Sequence, residues 1–161
     1  MLWGYIVAIA TLGLDQLTKF LIYGTASKSI IGNLLWFEST LNTGVAFSMF
    51  EDKGYIFIIT SLIASVLFCW IIASKKFMTS KFEKIVFGMI LGGTLGNVID
   101  RIAFGGVRDF ISLKFMNFAI FNVADIGITI GACLLCIYIL ITMFKSETTK
   151  ENKDIKEKNN D

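Results

Sequence analysis

The chain has no histidine and no proline, and only three of its 161 residues are cysteine. Without histidine, Ser-His and Cys-His nucleophilic pairs and the His-based zinc protease motif are excluded. All three cysteines lie in apolar segments. Cys133 and Cys136 have the spacing of a redox motif, but their position inside an apolar span favours a role as small apolar filler. A general base in this protein must therefore be a carboxylate or a lysine.

Apolar residues are abundant instead: they make up 55% of the chain, and the mean hydropathy is +0.69. A bilayer span takes roughly 20 apolar residues. Four stretches reach that length, near residues 2–23, 55–74, 85–104 and 118–144. The first lacks a basic start and a small-residue cleavage site, so we expect a retained helix and not a cleaved signal peptide. We predict an all-α membrane protein with an integral-membrane domain over 1–144 and a charged, disordered cytoplasmic tail over 145–161.

The distribution of lysine and arginine predicts a topology. The loop between the second and third spans and the tail together hold nine lysines, whereas segments 25–54 and 105–117 together hold four cations. Because cytoplasmic flanks carry an excess of Lys and Arg, we expect both termini in the cytoplasm and the two cation-poor segments outside. The basic residues form no strip typical of a nucleic-acid footprint, so we expect no nucleic-acid partner.

Five short polar clusters interrupt the ends of the apolar segments, at residues 15–19, 42–44, 96–101, 107–110 and 122–125. Charged groups at membrane depth are expensive, and such groups usually serve a function. Helical spacing puts Asp15 with Lys19, and Asn122 with Asp125 and Thr129, on one face of their helices. The predicted topology places all five clusters on the same side of the membrane, which indicates one shared polar site at the membrane edge.

The outer loop 25–54 lacks a helical period, and its β-branched and aromatic runs predict short strands and turns. We expect Trp36, Phe37, Phe47 and Phe50 to be exposed in a β-rich lid that lies on the lipid headgroups. The dipeptide Gly105-Gly106 should end the third helix. Glycines at 88, 92 and 96 recur every four residues and predict close packing with a neighbouring helix.

Two aspartates, Asp109 and Asp125, flank the stretch that enters the fourth span. Two carboxylates held close together share a proton, because both cannot ionise cheaply. One then acts as a base toward water, while the protonated partner acts as an acid toward a carbonyl oxygen. Such a pair titrates as a unit.

Other interpretations stay open at this point. Either aspartate alone suits an ion pair or a helix cap, and clustered carboxylates also suit a metal site made of oxygen ligands. A dyad of Ser48 and Lys19 is less favoured, because Asp15 stands one turn from the lysine. Intramembrane carboxylates also mark proton-coupled transporters. A purely structural membrane subunit is a further alternative.

Taken together, the clusters resemble the motifs of the lipoprotein signal peptidases, the type II signal peptidases of bacterial membranes. The similarity extends to about residue 144 and follows the family's order. It is carried by the following segments: Asp15-Gln16-Leu17-Thr18-Lys19, Asn42-Thr43-Gly44-Val45-Ala46-Phe47, Gly96-Asn97-Val98-Ile99-Asp100-Arg101, Val107-Arg108-Asp109-Phe110 and Phe121-Asn122-Val123-Ala124-Asp125.

The resemblance implies an aspartyl endopeptidase of the bacterial cytoplasmic membrane that cuts a prolipoprotein before its diacylglyceryl-modified cysteine. It implies Asp109 and Asp125 as the catalytic pair, with the site at the extracytoplasmic face. Residues implied to order the site or bind substrate are Asp15, Lys19, Asn42, Gly44, Asn97, Asp100, Arg101 and Asn122.

More specific roles follow from the same resemblance. Arg101 and Asn42 are expected to bind substrate carbonyls, Asn97 and Asn122 to orient the aspartates, and Asp15 with Lys19 to buttress the site. Membrane lipids and globomycin-type inhibitors are expected partners, no cofactor or metal is expected, and the protein is expected to be a monomer. The chain departs from the family pattern at three positions, listed here: Arg108 for an apolar residue, Val45 for alanine and Ala119 for proline.

Overall fold

The computed structural model describes residues 2–43, 54–74, 80–116 and 118–158. It contains helices α1 (Leu2–Ile22), α2 (Gly54–Ala73), α3 (Lys81–Phe104) and α4 (Val123–Lys158), and strands β1 (Lys28–Ile31), β2 (Leu35–Asn42) and β3 (Val107–Leu113). The four helices are long and apolar enough to cross a membrane, and the strands form one small antiparallel sheet in the order β1-β2-β3. The predicted fold class is confirmed.

Helix α3 begins earlier than predicted because a capping box starts it. The Ser80 hydroxyl accepts from the Glu83 backbone N–H at 3.1 Å, and the Glu83 carboxylate accepts from the Ser80 N–H at 2.8 Å. The helix ends as expected at Gly105, whose φ of 72° is left-handed and favours glycine. The chain then turns directly into β3.

Helix α4 differs from the prediction at both ends. The residues from 118 to 122 are not helical, and Phe121 forms an isolated antiparallel bridge with Ile111 of β3. The helix continues to Lys158, whereas we expected a disordered tail from residue 145. Lys and Glu are good helix formers, so a charged segment can extend a helix that the preceding apolar span has already nucleated. The domain boundary at residue 144 stays a prediction.

Helix α3 is the central helix and packs against α1, α2 and α4. Its glycines allow this: a Cβ atom at Gly88 would collide with the Gly4 carbonyl oxygen, and one at Gly92 with the Ala8 carbonyl oxygen. The predicted close helix approach is therefore confirmed, with α1 as the partner. It brings the C-terminal ends of α1 and α3, and their polar clusters, into contact.

The sheet covers the same end of the helices. Strand β2 pairs with β3 in a register that sets Thr40 opposite Asp109. The expectation that Trp36 and Phe37 are exposed is wrong: both are partly buried, because they lie in a paired strand, and the Phe37 ring packs edge-on against Phe110 at 5.8 Å. The lid residues Phe47 and Phe50 lie outside the described residues.

Candidate active site

A cavity of about 520 Å³ lies between the C-terminal end of α3, the N-terminal end of α4 and the sheet, and both Asp109 and Asp125 line it. Its other polar residues come from three elements and are Asn42, Asn97, Arg101 and Thr129. The rest of the lining is mainly apolar: Val107, Phe118, Ala119, Ile120, Phe121, Ile126 and Ile130. The structure thus brings together residues from four of the five sequence clusters in one cavity.

Asp109 projects from β3 and is 2% exposed. One carboxylate oxygen accepts from Asn122 Nδ2 at 2.6 Å, and the other accepts from Asn42 Nδ2 at 3.0 Å. Burial raises the pKa of Asp109 to about 6; the nearby Asp125 charge raises it further, while both amide donors and Lys19 oppose the rise. This carboxyl therefore keeps a proton at higher pH than an ordinary aspartate.

Asp125 lies in the first turn of α4. Its Oδ1 accepts from Asn97 Nδ2 at 2.8 Å, and its Oδ2 accepts from the Asn122 backbone N–H at 3.1 Å. In return, Asn122 Oδ1 accepts from the Asp125 N–H at 3.0 Å. This reciprocal cap fixes the start of α4 and holds the carboxylate at the edge of the cavity.

The two aspartates are connected through two asparagine side chains. Asn122 Nδ2 donates both to Asp109 and to Asn97 Oδ1, the latter at 3.1 Å, and Asn97 donates onward to Asp125. Asn97 Oδ1 also accepts from Lys19 Nζ at 3.0 Å. A continuous hydrogen-bond chain therefore orients the two carboxylates relative to each other.

Lys19 is fully buried between the carboxylates of Asp15 and Asp100, at 2.8 and 3.1 Å. Together with its bond to Asn97, these contacts match the three donors of an ammonium group. Lys19 is thus placed as a donor and not as a general base. The residue weighed as its nucleophile partner, Ser48, lies outside the described residues.

The same two carboxylates anchor the backbone next to each cavity aspartate. Asp15 Oδ1 accepts from the Ala124 N–H at 2.9 Å, one residue before Asp125. Asp100 Oδ2 accepts from the Arg108 N–H at 2.9 Å, one residue before Asp109. Since Lys19 bridges the two anchoring carboxylates, it connects the backbone positions from which both cavity aspartates project.

Gln16 adds to this network, although no role was predicted for it. Its Nε2 lies 3.1 Å from Asp15 Oδ2 and 3.2 Å from Asp100 Oδ1, and it also faces the Gly96 carbonyl at 3.1 Å. Its position next to Asp15 in the first cluster was the only sequence signal that could have found it.

Arg108 points away from the cavity, as alternation along a strand requires. Its Nη2 lies 2.7 Å from Asp100 Oδ1 and 2.9 Å from Gln16 Oε1, and its guanidinium carbon lies 4.2 Å from the centre of the Phe104 ring. Neighbouring Asp109 faces the opposite side. The orientation of Arg108, which the sequence left open, is therefore toward Asp100.

Arg101 lines the cavity, and its Nη1 lies 3.4 Å from the Asn97 carbonyl oxygen. Its guanidinium lies 6.0 Å from the centre of the Phe57 ring of α2. Thr129 shares the cavity with Asp125, as their helical spacing predicted. Gly44, the remaining predicted site residue, lies outside the described residues.

The other functional classes can be compared with this geometry. Within the described ranges, no group of three His, Cys, Asp or Glu residues is arranged to hold a metal ion. The buried charged residues of the same ranges all lie at the end of the helices that carries the cavity, and they are Asp15, Lys19, Asp100, Arg108 and Asp109. A proton path would need polar groups at greater depth, so this distribution favours a site at the membrane edge over a conduction path.

Four apolar helices and a paired-aspartate cavity at their ends define an integral-membrane peptidase of the aspartic type. The family model described as signal peptidase (SPase) II matches residues 7–141, and the chain belongs to that family.

Curated relatives agree over nearly the whole chain. The lipoprotein signal peptidase of Shouchella clausii (strain KSM-K16) is 39% identical over 142 residues, which cover 85% of this chain and 92% of the relative. That of Enterococcus faecalis (strain ATCC 700802 / V583) is 32% identical over 154 residues, which cover 93% of each chain.

Two solved structures have the same fold. One, described as a bacterial membrane enzyme structure by the in meso method at 2.3 Å resolution, has a TM-score of 0.76 and 29% identity, and the match covers 87% of this chain and 88% of that one. A second, described in the same words at 1.9 Å resolution, has a TM-score of 0.75 and 29% identity, with 85% and 92% covered. The predicted family is therefore confirmed.

Proposed function

We propose that this protein removes the signal peptide from prolipoproteins by hydrolysing the bond before the diacylglyceryl-modified cysteine. We further propose that Asp109 and Asp125 activate the attacking water. The observation that carries this proposal is the connection of the two carboxylates through Asn122 and Asn97 in one cavity at one end of the apolar helices. Family membership supports the substrate class.

The proposed reaction needs one proton on the aspartate pair. Asp109, whose pKa burial raises, holds this proton, while Asp125 accepts a proton from water. The water oxygen attacks the scissile carbonyl carbon as Asp109 donates its proton to the carbonyl oxygen. The tetrahedral intermediate then collapses: the C–N bond breaks, the Asp125 proton passes to the leaving amine, and a hydroxyl proton returns to Asp109. The products are a carboxylic acid and a free α-amine, and no covalent enzyme intermediate forms.

The cavity lining suits a substrate that is part peptide and part lipid. Arg101 and Asn42 line the cavity. We expect them to donate to peptide carbonyls beside the aspartates, the first as a cation and the second as an amide. Phe118, Ile126 and Ile130 offer an apolar surface to acyl chains or to the signal peptide. If the cavity lies at the membrane edge, as the predicted spans imply, the acyl chains can stay in the bilayer during hydrolysis.

We place both termini in the cytoplasm and the cavity on the extracytoplasmic side of the bacterial membrane, following the lysine distribution. We expect globomycin-type inhibitors to occupy the same cavity, with bilayer lipids around it. A single chain supplies both aspartates and both asparagines that connect them, which supports a monomeric enzyme.

The test is cleavage of a diacylglyceryl-modified prolipoprotein by purified protein, comparing wild type with Asp109→Asn and Asp125→Asn. We expect each change to lower kcat by at least about a hundredfold, because each removes a proton donor or acceptor from the reaction. Glu38→Gln is the matched control: this carboxylate lies on β2, is paired with Lys114 at 2.6 Å and does not line the cavity. Cleavage that survives either aspartate change in folded protein would rule out the paired mechanism.

A further inference from the structure

Arg108 is a buried cation beside the proposed active site that the mechanism does not use. It is 8% exposed, and its guanidinium is directed at Asp100 on the side of the strand away from the cavity. Its contact with Phe104 covers one face of the guanidinium. A buried charge of this kind is expensive unless it is paired, so its partners indicate its role.

Arg108 binds the Asp100 carboxylate twice, through different atoms. The side chain donates to Oδ1 at 2.7 Å, and the backbone N–H donates to Oδ2 at 2.9 Å. Both donors act on one buried carboxylate of α3, so they fix the start of β3 in position and direction. Asp109 is the next residue, and its side chain enters the cavity from that fixed backbone.

Arg108 also balances the charge of the network. Asp15 and Asp100 contribute two negative charges, and Lys19 and Arg108 contribute two positive charges, with three of the four residues fully buried. Without Arg108, one negative charge would be left unbalanced beneath the aspartate pair. Loss of one partner from a buried ionic network leaves a charge that drives local rearrangement or water entry.

We propose that Arg108 is a positioning residue for Asp109, acting through Asp100 to hold the α3–β3 turn in the geometry that catalysis needs. The inference rests on the proposed role of Asp109 in the reaction. Small displacements of a reacting group reduce rate far more than they reduce substrate binding. The effect of changing Arg108 should therefore appear in kcat and much less in KM.

The first arm of the test replaces Arg108 by Met, which keeps an unbranched apolar stem and the backbone N–H but removes the guanidinium. We expect Arg108→Met to lower kcat by roughly tenfold, with KM changed less than about threefold, per folded enzyme. Arg108→Lys, which restores a cation, should recover most of the loss. Lys114→Met is the matched control: it also lies next to β3 and combines an ion pair with a ring contact, but its partners are Glu38 and Trp36 outside the network. It should leave kcat and KM unchanged.

The second arm is a double-mutant cycle with Asp100→Asn. If Arg108 acts through Asp100, Arg108→Met should lower kcat much less in the Asp100→Asn background than in wild type. The double variant removes one charge of each sign, so it keeps a balanced network. If Arg108→Met alone folds poorly, the kcat of the double variant is compared with that of Asp100→Asn alone, and the two should be nearly equal.

The outcomes separate this inference from the proposed function. An unchanged kcat in Arg108→Met, or an equal loss in both backgrounds, would overturn the positioning role. A lower thermal stability with normal kcat per folded enzyme would show a purely structural role and would overturn it as well. Only retained cleavage by Asp109→Asn would overturn the catalytic assignment on which it rests.

Discussion

At the scale of single residues, the orientation of two amides decides which atoms face the aspartates. Lys19 has only donors, so Asn97 must turn its oxygen toward Lys19 and its NH₂ toward Asp125. The Asp125 backbone N–H likewise takes the oxygen of Asn122, which leaves the NH₂ of that residue for Asp109. Each carboxylate of the pair therefore meets amide donors that neighbouring groups have already oriented.

Burial of Asp109 also has a consequence for stability. The pKa of its carboxyl is about 6 in the folded protein against a reference value of 3.8, because burial disfavours the charge. The folded state thus binds more protons than the unfolded chain between pH 4 and 6. The stability associated with this proton is fully present below pH 4 and is lost as pH rises through 6.

We predict that Asp109→Asn, which cannot ionise, gains thermal stability relative to wild type as pH rises from 4 to 7. The difference corresponds to a free energy of unfolding on the order of 3 kcal/mol, from 2.2 pKa units at 1.36 kcal/mol each. Altered hydrogen bonds in the variant add an offset that does not depend on pH. Unfolding followed by tryptophan fluorescence across this pH range measures the trend.

Glu38→Gln is a control for which the stability difference from wild type should change with pH in the opposite direction. Its hydrogen bond from Lys114 lowers the pKa of Glu38, so wild type loses stability relative to this variant as pH falls. A pH-independent Tm difference between wild type and Asp109→Asn would show that Asp109 titrates normally in the fold.

At the scale of elements, the contact of α1 with α3 serves both packing and the site. The glycine stripe that allows the helices to approach ends at Gly96, where the neighbour is no longer backbone. There a Cβ atom would collide with the Asp15 carboxylate. The space beside Gly96 is therefore occupied by the Asp15 carboxylate, which anchors the start of α4 through the Ala124 N–H.

We predict that Gly96→Ala lowers Tm by about 3–10 °C, corresponding to an overpacking energy of about 1–3 kcal/mol, and lowers kcat as well. Displacing Asp15 would release its bond to the Ala124 N–H. Gly13→Ala is the control on the same pair of helices, since nothing lies within 4 Å of its Cβ position. It should leave activity intact and hold or raise Tm, because Ala is the better helix former. Thermal unfolding and cleavage assays on both variants test this prediction. Equal Tm and kcat for Gly96→Ala and Gly13→Ala would contradict it.

Local sequence patterns predicted the helices of this fold but not all of its strands. The four spans were predictable because apolar runs of bilayer length are a local property, and the end of α3 was predictable from Gly105-Gly106. The third strand, β3, was not predicted as part of the sheet. Its partner β2 lies more than 60 residues away in the chain, and its side chains are buried on both faces, which removes the alternation that marks a half-buried strand.

At the scale of the whole molecule, the polar network, the sheet and the cavity lie at one end of the helices. Lys81 and Lys84 lie at the opposite end of α3, so these two cations and the site are separated by the apolar length of the helix. This separation agrees with the proposed topology, in which the cavity lies on the extracytoplasmic side.

We predict the orientation by cysteine labelling in a variant lacking Cys69, Cys133 and Cys136. In intact cells a membrane-impermeant maleimide should label Asn33→Cys, in the β1–β2 turn, and should label Ser146→Cys only after permeabilisation. The two substitutions leave net charge unchanged, so they do not alter the distribution of lysine and arginine from which the topology is predicted. The reverse labelling pattern would invert the proposed topology.

The sequence by itself determined the four spans, the restriction of the chemistry to carboxylates and lysine, and the set of residues that meet at one end. Helical spacing and apolar length are properties of neighbouring residues, so they can be read without a fold. Only the tertiary structure decided the partners: Asn42 contacts Asp109, and Arg108 turns to Asp100 and not to its neighbour. Those contacts depend on how helices and strands rotate against each other across long sequence separations, and no local pattern encodes that rotation.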